Sequence, residues 1–197
     1  MEIKQKPCGM YMTNCYIVKV DDKEFVIDPG IDAAEWVKEN VKNPVAILNT
    51  HGHFDHVWSN AELKEKYNIP IYTPKSDVFM LLDDPFSQGT PPSTPDVEVV
   101  GDEKFNFGAI EVKYFLFPGH TPGSSAILID DVLFSGDFIF KNSIGRVDFP
   151  YSNPSDMKKS IDKFLKIKEN YRIFPGHGES TTVFEEQKTL PVWLNYI

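Results

Sequence analysis

A chain of 197 residues is long enough to bury a core and shape a pocket, and its length favours one domain spanning 1–197. With 41% hydrophobic and 25% charged residues it reads as a soluble globular protein, and no stretch nears the roughly 18 consecutive apolar residues of a membrane span. A net charge of −9, with no Lys/Arg-rich run, argues against a nucleic-acid backbone as partner.

The chain opens MEIKQKPCGMYMTNCYIVKV, which lacks the basic segment, apolar run and small-residue cleavage site of a signal peptide, so a cytoplasmic location is expected. Cys8 and Cys15, the two cysteines, form no Cys-x-x-Cys pair and read as small apolar residues on an N-terminal hairpin. The runs 14–20 and 24–27, separated by Asp21-Asp22, predict paired strands. Asp28-Pro29-Gly30 breaks the chain, and Asp32 is placed to cap a helix through about Val41 with Trp36 and Val37 on its apolar face. The apolar run 45–48 predicts a buried strand, 56–67 a helix, and 69–73 another strand. Residues 85–96, PFSQGTPPSTPD, predict an irregular loop, either a substrate wall or a solvated connector.

Strands are expected again at 110–117, 126–129, 132–135 and 172–174. Asn153 and Pro154 open a helix to about Lys168, whose Met157, Ile161, Phe164, Leu165 and Lys168 follow a helical period. A last helix is expected over 182–190. Strands and helices alternating in two similar halves predict an α/β sandwich of sheets with helices outside.

The five histidines do not scatter: three fall within His51-Gly52-His53-Phe54-Asp55-His56, and two in the turns around Gly119-His120 and Gly176-His177. Residues two apart on an extended tail point the same way, so His51 and His53 can converge on one ion, while the turn into a helix re-aims Asp55 and His56. Burying such a group of imidazoles and a carboxylate is costly unless a cation compensates them. His120, Asp137 and His177 each follow an apolar strand and a tight turn, which brings polar residues to a common sheet edge. Imidazole suits zinc, iron, copper or nickel, and carboxylate adds tolerance for harder ions.

In order along the chain, Asp28, His51-x-His53-x-Asp55-His56, His120, Asp137 and His177 resemble the metallo-β-lactamase superfamily. The resemblance implies an αββα sandwich, two mixed sheets with helices on the outer faces, and a dinuclear site at its edge. It implies that His51, His53 and His120 hold one divalent metal ion, that Asp55, His56 and His177 hold a second, that Asp137 bridges both, and that Asp28 orients the His51 loop. Zinc is the first expectation, with iron or manganese as alternatives. Seven donors for two ions leave room for water, whose deprotonation near neutral pH supplies a metal-bound hydroxide for hydrolysis of an ester, thioester or amide. Asp55 and Asp137 are the expected catalytic carboxylates.

Within that superfamily, Thr50-His51, Gly119-His120-Thr121-Pro122-Gly123-Ser124 and Gly136-Asp137 resemble the glyoxalase II-like branch, which implies hydrolysis of a hydroxyacylglutathione thioester, a small-molecule substrate. Asp137 argues against true β-lactamases. Glyoxalase II carries a helical C-terminal domain that grips glutathione, and with roughly twenty residues following His177 here no counterpart to it is expected. Lys141 and Arg146 lie just beyond Asp137; Arg146 stands where such enzymes put a basic residue for the thiol carrier's carboxylate, and an ion pair with Asp148 is the competing reading. Two other functions fit the motifs: a persulfide dioxygenase-like enzyme with one iron on His51, His120 and Asp137, and a non-catalytic metal-dependent binding protein.

Overall fold

The β-branched and aromatic runs form strands, and a computed structural model describes all residues 1–197 in two compact halves, Met1–Val99 and Val100–Ile197. In the first half, β1 (Glu2–Cys8), β2 (Thr13–Val20), β3 (Lys23–Ile27), β4 (Pro44–Leu48), β5 (Ile71–Pro74) and β6 (Val97–Val99) lie in that spatial order. The first three strands are antiparallel neighbours, and β3 to β6 run parallel. Parallel neighbours need crossovers. These are α1 (Ala33–Asn40), then α2 (Phe54–Val57) with α3 (Asn60–Tyr67), then α4 (Val78–Asp83) with the loop after it. The C-terminal ends of β3, β4 and β5 and the start of β2 therefore share one edge.

Alternation puts Ile17, Val26, Ile47 and Ile71 on the face that packs against Ala33, Ala34 and Val37 of α1 and Leu63 of α3. The opposite-facing Val18, Phe25, Ile27, Ala46 and Leu48 are buried as well, so this sheet is covered on both faces.

The second half has β7 (Glu103–Phe107), β8 (Ile110–Leu116), β9 (Ser125–Ile129), β10 (Val132–Gly136), the hairpin β11 (Ile139–Phe140) and β12 (Ser143–Ile144), α5 (Pro154–Phe164), β13 (Arg172–Pro175), β14 (Thr181–Thr182) and α6 (Val183–Trp193). Its main sheet has the order β14-β13-β10-β9-β8-β7, antiparallel except for the β10–β13 pair. Strands β8, β10 and β13 consequently point the same way and end on one edge. Met157, Ile161 and Phe164 of α5 pack with Val183 and Leu190 of α6 over Ala126, Leu128, Leu133 and Ile173.

Several boundaries differ from the sequence reading. Asp32 occupies the N-cap position of α1 but lies in the left-handed region (φ 62°), and its side chain makes no capping bond. The helix expected over 56–67 is two helices, because Ser59 is tied elsewhere: its N–H donates to the Pro29 carbonyl (2.9 Å) and its hydroxyl to the Gly30 carbonyl (2.7 Å). Helix α5 stops at Phe164 rather than Lys168, its end tightened by bonds from Lys166 and Ile167 to carbonyls three residues back. Asn153 does cap it, accepting from the Asp156 N–H. Strands β1, β6 and β7 and helix α4 had no clear signal in the sequence. Residues 85–96 form an irregular loop as expected, and no helix of the chain is long and apolar enough to cross a membrane.

Candidate metal centre

In the first half the motif residues gather at the shared strand edge. Asp28 follows β3, the His51–His56 segment follows β4, and Thr13 opens β2. His51 and His56 are fully buried, and His53 and Asp55 nearly so, at 7% and 9% exposure. The His51 ring lies 4.9 Å from that of His53 and 4.1 Å from that of His56, centre to centre.

The buried Asp28 carboxylate anchors this group. Its Oδ1 accepts from the Thr50 N–H (2.8 Å), and its Oδ2 accepts from the Thr50 hydroxyl (2.6 Å) and from His56 Nδ1 (2.9 Å). A carboxylate can only accept, so His56 carries its proton on Nδ1 and its lone pair on Nε2. The Thr50 proton points to Asp28, so the Thr50 oxygen accepts from His51 Nδ1 at 3.0 Å and fixes the same tautomer there. Thr13 Oγ1 donates to Asp55 Oδ2 at 2.6 Å, and that oxygen stands 3.5 Å from His56 Nε2.

In the second half His120, Asp137 and His177 follow β8, β10 and β13, the three strands that point the same way. His120 Nδ1 donates to the Arg146 carbonyl at 2.8 Å, which again leaves the lone pair on Nε2. The Ser152 hydroxyl donates to the His120 carbonyl. Asp137 Oδ2 faces two imidazoles: it lies 3.5 Å from His120 Nε2 and 3.3 Å from His177 Nε2. Gly145 makes this approach feasible, since a Cβ there would fall 1.7 Å from the Asp137 carbonyl oxygen and 3.3 Å from the His120 Cβ.

These distances test whether the residues suit a metal ion. Two donors each about 2.0–2.1 Å from one tetrahedral ion stand about 3.4 Å apart. The three carboxylate-to-Nε2 separations, 3.5, 3.5 and 3.3 Å, match that spacing. They exceed the roughly 2.7–3.2 Å of an ordinary N–H···O bond. The donors fit.

Aromatic rings flank His53 in the first half. Phe86, from the irregular loop, meets the His53 ring edge-on at 5.1 Å, and Phe54 meets Tyr11 edge-on at 5.3 Å. The loop over 85–96 thus begins beside a candidate donor. The two basic residues singled out from the sequence are exposed and paired: Lys141 with Glu179, and Arg146 with Asp148 through two bonds of 2.8 and 2.7 Å. These ion pairs hold the carboxyls of Glu179 and Asp148 below their ordinary pKa and the cations above theirs. The Arg146 guanidinium also stacks on Phe149 at 4.2 Å, and Phe149 borders the His120 ring.

Sequence reading assigned no role to Thr13, to Thr50 as a relay, or to the Arg146 carbonyl. Only Thr50, adjacent to His51, carried a signal; Thr13 and Asp55 are 42 positions apart.

A sequence profile of the Metallo-beta-lactamase superfamily matches residues 8–177. The chain belongs to this superfamily. Among its curated relatives, the "Probable metallo-hydrolase YqgX" of Bacillus subtilis is 31% identical, with 97% of each chain covered. The "Hydroxyacylglutathione hydrolase GloC" of Haemophilus influenzae is 29% identical, again with 97% of each covered. Among solved structures, BLEG-1, titled a B3 metallo-beta-lactamase, superposes with a TM-score of 0.86 at 32% identity, covering 98% of this chain and 99% of that one. TTHA1623, solved in a di-iron-bound form, gives 0.81 at 29% identity, covering 96% and 99%. The fold class expected from the sequence, two mixed sheets with helices, is that of these metallo-β-lactamase superfamily proteins.

Proposed function

We propose that the chain is a dinuclear metal hydrolase, a single domain over residues 1–197, that cleaves a thioester such as a hydroxyacylglutathione. His51, His53 and His120 would hold one divalent ion and Asp55, His56 and His177 the other, with Asp137 shared. The observation that carries this reading is Asp137 Oδ2, which stands at metal-ligand spacing from two imidazoles at once. The similarity to a protein named hydroxyacylglutathione hydrolase over 97% of the chain supports the thioester.

Bound divalent ions, zinc foremost, would supply Lewis acidity and hydroxide at neutral pH. The protein's own residues do the rest. Asp28 holds the His51 and His56 rings in the tautomer that presents Nε2. The Arg146 carbonyl does the same for His120. Thr13 fixes Asp55, the carboxylate proposed to take a proton from the attacking water. Phe86 packs edge-on against the His53 ring, and Phe54 packs in turn beside Phe86. Lys141 and Arg146 would exchange their present carboxylate partners for those of the thiol carrier.

Two specific observations favour other substrates for the same fold. Taken from the sequence motifs, His51, His120 and Asp137 would supply the two-histidine, one-carboxylate set of a mononuclear iron oxygenase acting on a persulfide. The likeness to BLEG-1 makes a β-lactam amide the other candidate, against the sequence argument drawn from Asp137. Assaying one metal-loaded preparation on S-lactoylglutathione, a β-lactam and glutathione persulfide with oxygen uptake separates the three. Thioester turnover abolished by a chelator is expected; oxygen uptake without thioester turnover replaces the hydrolase.

A further inference from the structure

Asp77 was not singled out by its sequence context, yet it is fully buried, at 0% exposure. It follows β5 just as the histidine segment follows β4, and the two strands are parallel neighbours, so both segments arrive at the same edge. Asp77 occupies the N-cap position of α4, where an aspartate ordinarily accepts from the first backbone N–H groups of its own helix. Here the side chain makes no such bond. Its Oδ2 accepts instead from the Gly52 N–H at 2.9 Å, 25 positions away.

Gly52 lies between His51 and His53, whose rings meet edge-on at 4.9 Å. A glycine is the residue with the greatest backbone freedom, and the peptides on either side of it decide where the two imidazoles point. Contact closes the other side: a Cβ on Gly52 would fall 2.7 Å from the Asp77 carbonyl oxygen, 2.9 Å from the Asp77 Cβ and 3.0 Å from the Met80 Cβ. The glycine needed for this fit is thus held by one charge-assisted bond from a buried carboxylate.

We propose that Asp77 is a positioning residue, holding the Gly52 peptide so that His51 and His53 stay converged on one metal ion. The inference rests on the reading of these two histidines as donors to a common ion. The helix forgoes its own cap for a bond to the donor loop, which is what an orienting role requires and a helix-starting role does not.

The test titrates zinc into metal-free wild type, Asp77→Asn, Asp77→Ala and Asp96→Ala, against a chromophoric chelator, with circular dichroism following the fold. Asp96 is the control, since its carboxylate also accepts a backbone N–H, that of Ile71 at 2.8 Å, away from the donors. Loss of an orienting partner weakens metal affinity about 10–100-fold, so Asp77→Ala is expected to fall by that factor while Asp96→Ala keeps wild-type affinity. Asp77→Asn retains an oxygen for Gly52 without the charge and should lie between, within about tenfold of wild type. If Asp77→Ala does not fold, Asp77→Asn decides, and wild-type affinity in that variant overturns the proposal. An Asp77→Ala loss no greater than that of Asp96→Ala also overturns it. A wild-type chain that takes up no zinc overturns the donor reading and this inference with it.

Discussion

One oxygen of Asp28 serves two histidines: Oδ2 accepts directly from His56 Nδ1 at 2.9 Å and, through the Thr50 hydroxyl at 2.6 Å, fixes His51 as well. Parallel pairing of β3 and β4 makes this feasible, because it brings the residues after both strands to the same edge. A single buried carboxylate therefore sets which nitrogen each ring presents.

Asp28→Asn tests that relationship. An amide keeps an oxygen for Thr50 but cannot accept from all three present donors, so at least one imidazole loses its fixed tautomer. Zinc affinity should fall about 10–100-fold with the fold retained. Competition titration measures the affinity, and nitrogen-15 spectra of the histidines report the tautomers. Unchanged His56 and His51 tautomers in the variant would contradict the hub role.

Gly145→Ala probes the second half. Its Cβ would meet the Asp137 carbonyl oxygen at 1.7 Å, so the Asp137 backbone must move. Overpacking of this kind costs about 1–3 kcal/mol, visible as a lower urea midpoint. Hydrolysis should fall further than the loss of folded protein explains. A variant as stable and active as the wild type would show that the contact relaxes freely.

Much of this was legible in the sequence because strands that end in chemistry leave a local signature. Runs such as 45–48 and 132–135 are short, apolar and followed at once by a turn bearing a donor. The family membership expected from the ordered His and Asp residues holds. Helix boundaries were less readable, because partners distant in sequence set them. Ser59 breaks a helix-forming run by bonding to Pro29 and Gly30, and no window around Ser59 contains those residues. Thr13 and Asp77 escaped for the same reason. Each is an ordinary polar residue made important by strands that pair far along the chain.

Arg146 separates two roles. As an exposed, solvent-screened pair with Asp148 it adds little to stability, so Arg146→Ala should leave the urea midpoint nearly unchanged. If Arg146 receives the thiol carrier's carboxylate, the same change raises KM for a glutathione thioester and leaves a carrier lacking carboxylates unaffected. Equal KM values for both substrates would return it to a surface ion pair.

The two cysteines give a pH prediction. Both are buried, and burial pushes their thiols up, Cys15 most strongly. Their folded pKa exceeds the unfolded value of about 8.5, so their contribution to stability is intact below that pH and declines as pH rises above it. At pH 8 neither should react with an aromatic disulfide reagent until urea unfolds the chain. Rapid labelling of the native protein would contradict this.

The most direct measurement is elemental analysis of metal per chain after reconstitution with zinc, on wild type and Asp137→Ala. Seven donors sharing one carboxylate predict two ions per wild-type chain, and fewer than two, with thioester turnover abolished, in a variant that still folds. One ion or none in the wild type, or full occupancy and near-normal turnover without Asp137, would contradict the dinuclear hydrolase.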